Sequence, residues 1–233
     1  MPGRSSFKWI AIGGAALLLA AAAWWYPDYR ARHALLAQPV YRVLQKHQPE
    51  FFDLLLERYR RYLRGSISHQ DFVNFANARI SAAATRSLAH ASPDAALALV
   101  ADMLATARKL QANSADACFR FWFPEVEGAP EVATLLDADA QAHTLALMGE
   151  VIRTAAETPA PLPENAEVSE SLSEIINGIF AEFGADAQML AHARVPRVDR
   201  ARVCTITIAL YQRIMSLPPA RASAVIRSMT QTS

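Results

Sequence analysis

Asp199–Pro219, DRARVCTITIALYQRIMSLPP, is the stretch that decides the fold class of this chain. Its β-branched run from Val203 to Ile208 could form a strand, because branched side chains pack well on a pleated sheet. No partner strand is visible elsewhere, however, and the large apolar side chains of the stretch repeat with helical spacing. These side chains are Val203, Ile206, Leu210, Ile214 and Leu217. We therefore predict a buried helix, capped by Asp199 and ended by two prolines.

Other segments show the same helical period and recognisable helix starts. Ser92-Pro93-Asp94 supplies a capping hydroxyl, a proline at the first helical position and an acid that suits the helix dipole. Ser68 followed by Asp71 is a second capping signal. The best amphipathic stripe, closed by Gly184, consists of Val168, Leu172, Ile175, Ile176, Ile179, Phe180 and Phe183. With no alternating hairpin pattern, the sequence predicts an all-α domain of about seven or eight helices.

A long apolar segment precedes this domain. Trp9–Tyr26, WIAIGGAALLLAAAAWWY, contains no charge and carries aromatic rings at both ends. As a helix it would span about 27 Å, which suits the hydrocarbon core of a bilayer. We predict a single transmembrane signal-anchor at 9–26, because the Trp24-Trp25-Tyr26 cluster fits a membrane boundary. The alternatives are a cleaved signal peptide ending at Ala21-x-Ala23, which would give a soluble periplasmic protein, and a buried core helix.

The predicted anchor determines how we divide the rest of the chain. We expect a short tail at 1–8, a juxtamembrane helical segment at 27–48 and an all-α exported domain at 49–233. The Pro-rich stretch 158–166 either divides that domain into two lobes or connects two helices of one bundle. Abundant Ala and Arg with scarce Lys are typical of a bacterial gene. We place the N-terminus in the cytoplasm and the domain in the periplasm, since large domains translocate largely regardless of their charges.

Charge is distributed unevenly, although the net charge of the chain is only +1. Residues 114–186 contain 2 Lys and Arg residues against 14 Asp and Glu residues, a net charge of −12. Residues 1–64 and 187–233 each have a net charge of +6. Either these regions neutralise one another in the fold, or the central region presents an acidic surface that attracts a basic partner.

An Arg-rich helix is predicted from Pro49 to Arg64, where aromatic and Leu side chains alternate with arginines. Such a helix either packs its tyrosines and exposes its arginines to solvent, or binds lipid headgroups or nucleic acid. We expect packing, and no nucleic-acid partner, because an exported domain has little access to nucleic acid.

The candidate partner-binding surface is an aromatic segment in the central region. Residues 113–128 are the least periodic part of the domain, and Pro124 interrupts any helix there, so we expect a loop. A loop so apolar is either buried as an aromatic plug or lines a groove for a ligand or partner. The residues of the second interpretation are Phe119, Arg120, Phe121, Trp122, Phe123, Glu125 and Glu127.

Catalytic signatures are missing from the sequence. It contains no HExxH, GxSxG, SxxK, CxxC or Walker-type glycine loop. His143 and Asp139 could supply half a metal site, but a hydrogen-bonded core histidine is the more common outcome. We therefore assign no catalytic residue, no metal site and no cofactor.

Cys118 and Cys204 are the only cysteines. In an oxidising compartment an even number of cysteines favours a single disulfide, whereas two separate buried thiols are common in helical proteins. Both arrangements are compatible with the sequence.

Two classes of function are compatible with these features. The first is a membrane-anchored periplasmic protein that acts by protein–protein interaction, as a scaffold subunit of the envelope or as an inhibitor of the immunity type. The second is a cell-wall-directed hydrolase that uses acids of the central region, such as Glu125 and Glu127. The first is preferred, because paired acids without a defined separation are a common accident of composition.

Overall fold

The computed structural model of the protein describes residues 29–128, 130, 137–195 and 197–229. Within these residues the chain is an all-α bundle of about ten ordered helices, and none of them is in a strand. The predicted fold class is therefore confirmed. The predicted transmembrane helix at 9–26 lies outside the described residues. None of the helices that are described combines the length and the apolar character needed to cross a membrane.

The described helices follow one another along the chain. They are α1 (Pro39–His47), α2 (Pro49–Leu63), α3 (His69–Ser87), α4 (Pro93–Asn113), α5 (Ala115–Trp122), α6 (Pro124–Glu127), α7 (Ala138–Glu157), α8 (Asn165–Phe183), α9 (Arg200–Met215) and α10 (Pro219–Ser228). Residues 29–36 are also helical, and 3₁₀ segments cover Leu88–His90 and Gly184–Leu190. The sequence did not predict α5 and α6, because helices of eight and four residues are too short to show a hydrophobic period.

The chain divides into two compact units, Met1–Ala78 and Arg79–Ser233. In the first unit α1 packs against α2. The rings of Tyr59 and Tyr62 lie 5.1 and 6.2 Å from the ring of Phe72, measured between centroids. The tyrosines of the Arg-rich stretch therefore pack within the first unit, as the simpler of the two interpretations expects.

The second unit is built around α4 and α9. Helix α4 contacts α5, α7, α9 and α10, and helix α9 contacts α4, α5, α8 and α10. The buried residues of α9 are Val203, Cys204, Ile206, Thr207, Ile208, Ala209 and Ile214. A helix surrounded by neighbours needs apolar side chains on most of its faces, which explains the continuous β-branched run. The prediction of a buried helix rather than a strand is confirmed.

Two threonines in that run satisfy their hydroxyl groups inside the helix. Thr205 donates to the carbonyl oxygen of Ala201 at 2.9 Å, and Thr207 donates to that of Val203 at 2.8 Å. The side-chain amide of Gln111 on α4 also donates to the Thr205 hydroxyl at 2.9 Å. Because these hydrogen bonds return to the preceding turn, threonine can be buried here without a partner strand.

The predicted helix starts are confirmed. The Ser92 hydroxyl accepts a hydrogen bond from the backbone amide of Ala95 at 3.2 Å, and the Asp199 carboxylate accepts one from that of Arg202 at 3.0 Å. At the start of α3 the backbone amide of Asp71 donates to the Ser68 hydroxyl at 3.0 Å. Each cap satisfies one of the amide groups that lack a partner in the first helical turn.

The Pro-rich connection between α7 and α8 lies within the second unit and is held down by a buried arginine. Arg227 of α10 is only 6% exposed. Its Nε donates to the carbonyl oxygen of Ala89 at 3.0 Å, and its Nη2 donates to that of Pro161. The backbone amide of Ala160 donates to the carbonyl oxygen of His90 at 2.9 Å. Arg227 thus joins the 3₁₀ turn Leu88–His90 to the Pro-rich connection, and its buried guanidinium finds the acceptors that its burial requires.

A disulfide joins Cys118 of α5 to Cys204 of α9, with a Cα–Cα distance of 5.9 Å. Both cysteines are fully buried in a cluster that includes Leu104, Leu110 and Ile208. Of the two arrangements open to the sequence, the structure has the bridge. Disulfides form and persist in oxidising environments, so the bond indicates that this domain works in an extracytoplasmic compartment.

Removing the disulfide should destabilise the domain. The bridge joins residues 86 positions apart, and on the chain-entropy model a loop of this length contributes about 4 to 5 kcal/mol. Urea unfolding of the oxidised wild type and of the Cys118→Ala/Cys204→Ala variant should differ by that amount. The variant should unfold identically with and without dithiothreitol. Equal free energies of unfolding for the wild type and the variant would contradict this expectation.

Candidate functional site

The aromatic segment Phe119–Phe123 is helical through Trp122, and the expectation of a loop was wrong. Helix α5 begins after Ser114, whose hydroxyl accepts a hydrogen bond from the backbone amide of Ala117 at 3.2 Å. It ends at Trp122 because Pro124 cannot donate to a continuing helix and instead begins α6. A good cap and a covalent bond at Cys118 therefore hold a helix too short to be stable alone.

Phe119 is completely buried. It packs with Ala193 and Val203, and its ring centroid lies 5.2 Å from that of Phe123. A residue with no exposed surface cannot touch a partner of the folded domain. Phe119 therefore belongs to the core and not to a contact surface.

Trp122 is partly buried and packs against a different apolar cluster from Phe119, the one that contains Cys118, Cys204 and Ile208. Its ring stacks on Tyr211 of α9, with centroids 4.5 Å apart and planes 11° from parallel, and the Phe121 ring meets it edge-on at 5.3 Å. The indole Nε1 of Trp122 is buried and has no hydrogen-bond partner among the described residues. Burial also raises the pKa of the Tyr211 hydroxyl. This pair contributes apolar area to the junction of α5 with α9.

Arginines from the C-terminal region cover the remaining edge of the aromatic segment. The Arg200 guanidinium lies 5.3 Å from the centroid of the Phe119 ring and is hydrogen-bonded to Asp116. The Nε of Arg194 donates to Glu125 at 2.8 Å, and the Nε of Arg120 donates to the carbonyl oxygen of Gly128 at 3.0 Å. Arg200 thus makes a cation–π contact and an ion pair, and Arg194 makes an ion pair. Arg120 belongs to α5 itself and makes a hydrogen bond to the backbone.

The structure thus places the predicted partner-binding residues in different environments. Phe119 is buried, whereas Arg120, Phe121, Trp122 and Phe123 are partly buried and Glu125 is exposed but ion-paired. Glu127 lies in α6, and its side chain is outside the described part of the structure. The plug interpretation therefore accounts for most of the segment.

The acidic central region is neutralised in part by the basic C-terminal region. Among the described residues, five ion pairs connect the two regions: Asp116 with Arg200, Glu125 with Arg194, Glu174 with Arg221, Glu182 with Arg213, and Asp186 with Arg202. The first of the two electrostatic interpretations therefore holds for these carboxylates. It does not hold for Glu164, Glu167 and Glu170 at the start of α8, which have no ion-pair partner among the described residues.

His143 is not a core histidine. Its side chain is 64% exposed on α7, and its Nε2 lies 4.0 Å from Asp102. Asp139 is exposed one turn earlier on the same helix. Among the described residues, no group of three or more His, Cys, Asp or Glu side chains is arranged to hold a metal ion.

The surface that the sequence failed to indicate is an apolar groove along α8, which we call the α8 groove. Its volume is about 290 Å³. Ile176 and Phe180 at its edge are 40% and 45% exposed, which is high for side chains of this size. The residues that line it are Ile176, Ile179, Phe180, Ala187, Gln188, Leu190, Ala191 and His192.

The sequence contained a signal for this groove. The amphipathic stripe of α8 includes the adjacent pairs Ile175-Ile176 and Ile179-Phe180. At about 100° per residue such pairs widen the stripe to about 140°, more than the arc that a core-facing helix needs. The core covers Val168, Ile175 and Ile179, and the outer edge of the stripe stays exposed.

A second cavity, of about 140 Å³, lies between α4, α9, α10 and the turn Leu88–His90. Its lining is mostly apolar, and neither this cavity nor the α8 groove is lined by a carboxylate. Neither cavity therefore offers the pair of acids that a glycoside hydrolase needs.

Comparisons with protein-family models, curated proteins and solved structures found no match to this chain. Function is therefore inferred from the chemistry of its own residues.

Trp122→Ala should lower the free energy of unfolding by about 3 kcal/mol, because it removes a large ring packed between α5 and α9. Trp122→Phe keeps an aromatic ring and removes the buried N–H group without a partner, so it should cost less than about 1.5 kcal/mol. Chemical unfolding of the three proteins measures both effects.

Partner binding measured on the same Trp122→Ala protein distinguishes the two interpretations of the aromatic segment. A binding segment would lose about 2 kcal/mol or more of binding free energy on truncation, while the free energy of unfolding stayed unchanged. That result would show that the aromatic segment is part of the partner-binding surface and not a plug in the core.

Proposed function

We propose that this chain is a membrane-anchored protein of the bacterial envelope whose periplasmic helical domain acts by binding another protein. The α8 groove carries the proposal. Ile176 and Phe180 expose apolar surface beside a concave lining, as residues at the core of a protein–protein interface do before the partner is bound. A scaffold subunit and an inhibitor of a toxic protein are both compatible with this surface.

Two further features support the cellular location. The disulfide agrees with a domain that works outside the cytoplasm. The uncharged segment 9–26 is long enough to span the inner membrane once, with the N-terminus in the cytoplasm. In this arrangement the anchor keeps the helical domain at the membrane surface, where its partner would be met.

Site-specific photo-crosslinking in the native cells tests the binding function. With benzoylphenylalanine at Phe180 in the full chain, we expect a discrete adduct with another protein. The same group at Lys109, exposed on α4, should give none. A third site at Phe121 tests the aromatic segment. An adduct at Phe121 and not at Phe180 would assign the binding surface to the aromatic segment instead of the α8 groove. Adducts at neither Phe180 nor Phe121 would contradict an interaction function.

A fusion experiment tests the anchor and its orientation. A reporter that is active only in the periplasm, fused after Ser233, should be functional. The fusion should stay in the membrane fraction after alkaline extraction and keep its N-terminal residues, since the anchor is not cleaved. Activity of a cytoplasm-only reporter would reverse the orientation, and a soluble product that starts near Trp24 would establish the cleaved signal peptide instead.

A further inference from the structure

The cavity between α4, α9, α10 and the turn Leu88–His90 has the size of a site for one aromatic ring. Its volume is about 140 Å³. An engineered apolar cavity of about 150 Å³ in another protein binds benzene. A space of this size therefore takes a six-carbon ring or a short aliphatic chain, and it excludes larger metabolites.

The lining of this cavity selects neutral molecules. Apolar side chains form most of it, and the buried ones are Leu88, Leu99, Val100 and Ile226. Among the described residues that line the cavity there is no charged side chain and no histidine. An ionised ligand would leave its charge without a partner, which is strongly unfavourable in an apolar environment.

Tyr211 brings a fixed polar group to this lining. Its ring stacks on that of Trp122, with centroids 4.5 Å apart, so the ring has a defined position. The Tyr211 hydroxyl has no hydrogen-bond partner among the described residues. Burial raises the pKa of this hydroxyl, so it stays protonated and able to donate. A ligand that supplies an acceptor would remove the cost of a desolvated donor without a partner.

Thr85 indicates where a ligand enters. It lines the cavity and is exposed, so the cavity reaches solvent beside it. Met103 and Met229 also line the cavity and are half-buried. Methionine side chains are unbranched and adapt their shape readily, so these two can move to admit a ligand.

Two other occupants fit this cavity less well. A buried water molecule needs two to four polar partners, and the lining side chains offer only the hydroxyls of Thr85 and Tyr211 for a volume that takes several waters. The end of an acyl chain suits the apolar lining but brings no acceptor for the Tyr211 hydroxyl. A ring with one acceptor satisfies both the apolar lining and the hydroxyl.

We propose that this cavity binds a small neutral molecule made of one ring with a single hydrogen-bond acceptor, to which the Tyr211 hydroxyl donates. The apolar contacts hold the ring, and the hydrogen bond fixes its orientation. The proposal is independent of the interaction function, because the cavity and the α8 groove have no lining residue in common.

The experiment titrates the full chain with phenol and with toluene, two rings of similar size of which only phenol carries a hydrogen-bond acceptor. Isotopically labelled methionine methyl groups report the position of the probe by NMR. Met103 and Met229 line the cavity, so their signals should shift and saturate with both probes. Met148, which contacts Ser81, and Met189, which packs in the cluster of Phe119, should not shift.

Variants of the same chain test the hydrogen bond. Tyr211→Phe keeps the stacked ring and removes the hydroxyl, so it should weaken phenol binding about tenfold and leave toluene binding unchanged. The matched control is Tyr59→Phe, at a half-buried tyrosine of the first unit, which should change neither affinity. Val100→Phe places a larger side chain in the cavity and should weaken the binding of both probes.

Saturable shifts confined to the methionines of the cavity, together with the selective loss of phenol affinity in Tyr211→Phe, support the proposal. Toluene binding with a phenol affinity that does not depend on Tyr211 overturns it, because any apolar group would then suffice. The proposal is also overturned if neither probe gives a saturable shift, or if Met148 and Met189 respond as strongly as Met103 and Met229.

Discussion

The covalent bond between Cys118 and Cys204 is the constraint on which the second unit depends. It fixes α5, a helix of eight residues, against α9, the helix that most of the other elements surround. A helix of that length has almost no stability of its own. Because the bond and the α9 side chains hold it, α5 can place three aromatic rings, those of Phe119, Phe121 and Trp122, in the two apolar clusters that it forms with α9. The aromatic segment is thereby a wall of the core.

The ion pairs of the domain determine where its surface is charged more than how stable it is. Pairs such as Glu125 with Arg194 are largely exposed and contribute about 0 to 1 kcal/mol each. Their effect is to cancel the acidic surplus wherever the basic C-terminal region comes close. At the start of α8, Glu164, Glu167 and Glu170 have no ion-pair partner among the described residues. At about 100° per residue they lie on a different face of the helix from the exposed side chains of Ile176 and Phe180.

The sequence predicts the fold class because the evidence for it is local. Helical spacing through Val203–Ile208 and the caps at Ser92 and Asp199 depend on neighbouring residues only, and the structure has each of them. The disulfide was left open, since pairing two cysteines requires a tertiary distance. A loop was expected around Phe119, where the structure has a helix, because a helix of two turns is too short to show a hydrophobic period. Burial of Phe119 depends on Val203 and Ala193, which are distant in sequence.

The surface was harder to predict than the core, for a related reason. An apolar stripe shows that a helix has a core-facing side, but the neighbours decide how much of that side is covered. On α8 the core covers Ile175 and Ile179 and leaves Ile176 and Phe180 in solvent. His143, for which a core position was the more common expectation, is likewise exposed. The width of a stripe therefore carries functional information that its period does not.

The hydrogen bonds of Arg227 impose an order on the completion of the fold. Ala89 precedes Arg227 by 138 residues and Pro161 precedes it by 66. A chain is synthesised from its N-terminus, so both carbonyl groups exist well before the guanidinium that binds them. Until α10 folds, the Pro161 carbonyl lacks this donor, and the connection is joined to the rest of the unit by fewer hydrogen bonds, such as that of the Ala160 amide with His90. Irregular exposed segments of this kind are preferred sites of proteolytic cleavage, so we expect the connection to be more readily cleaved before α10 is in place.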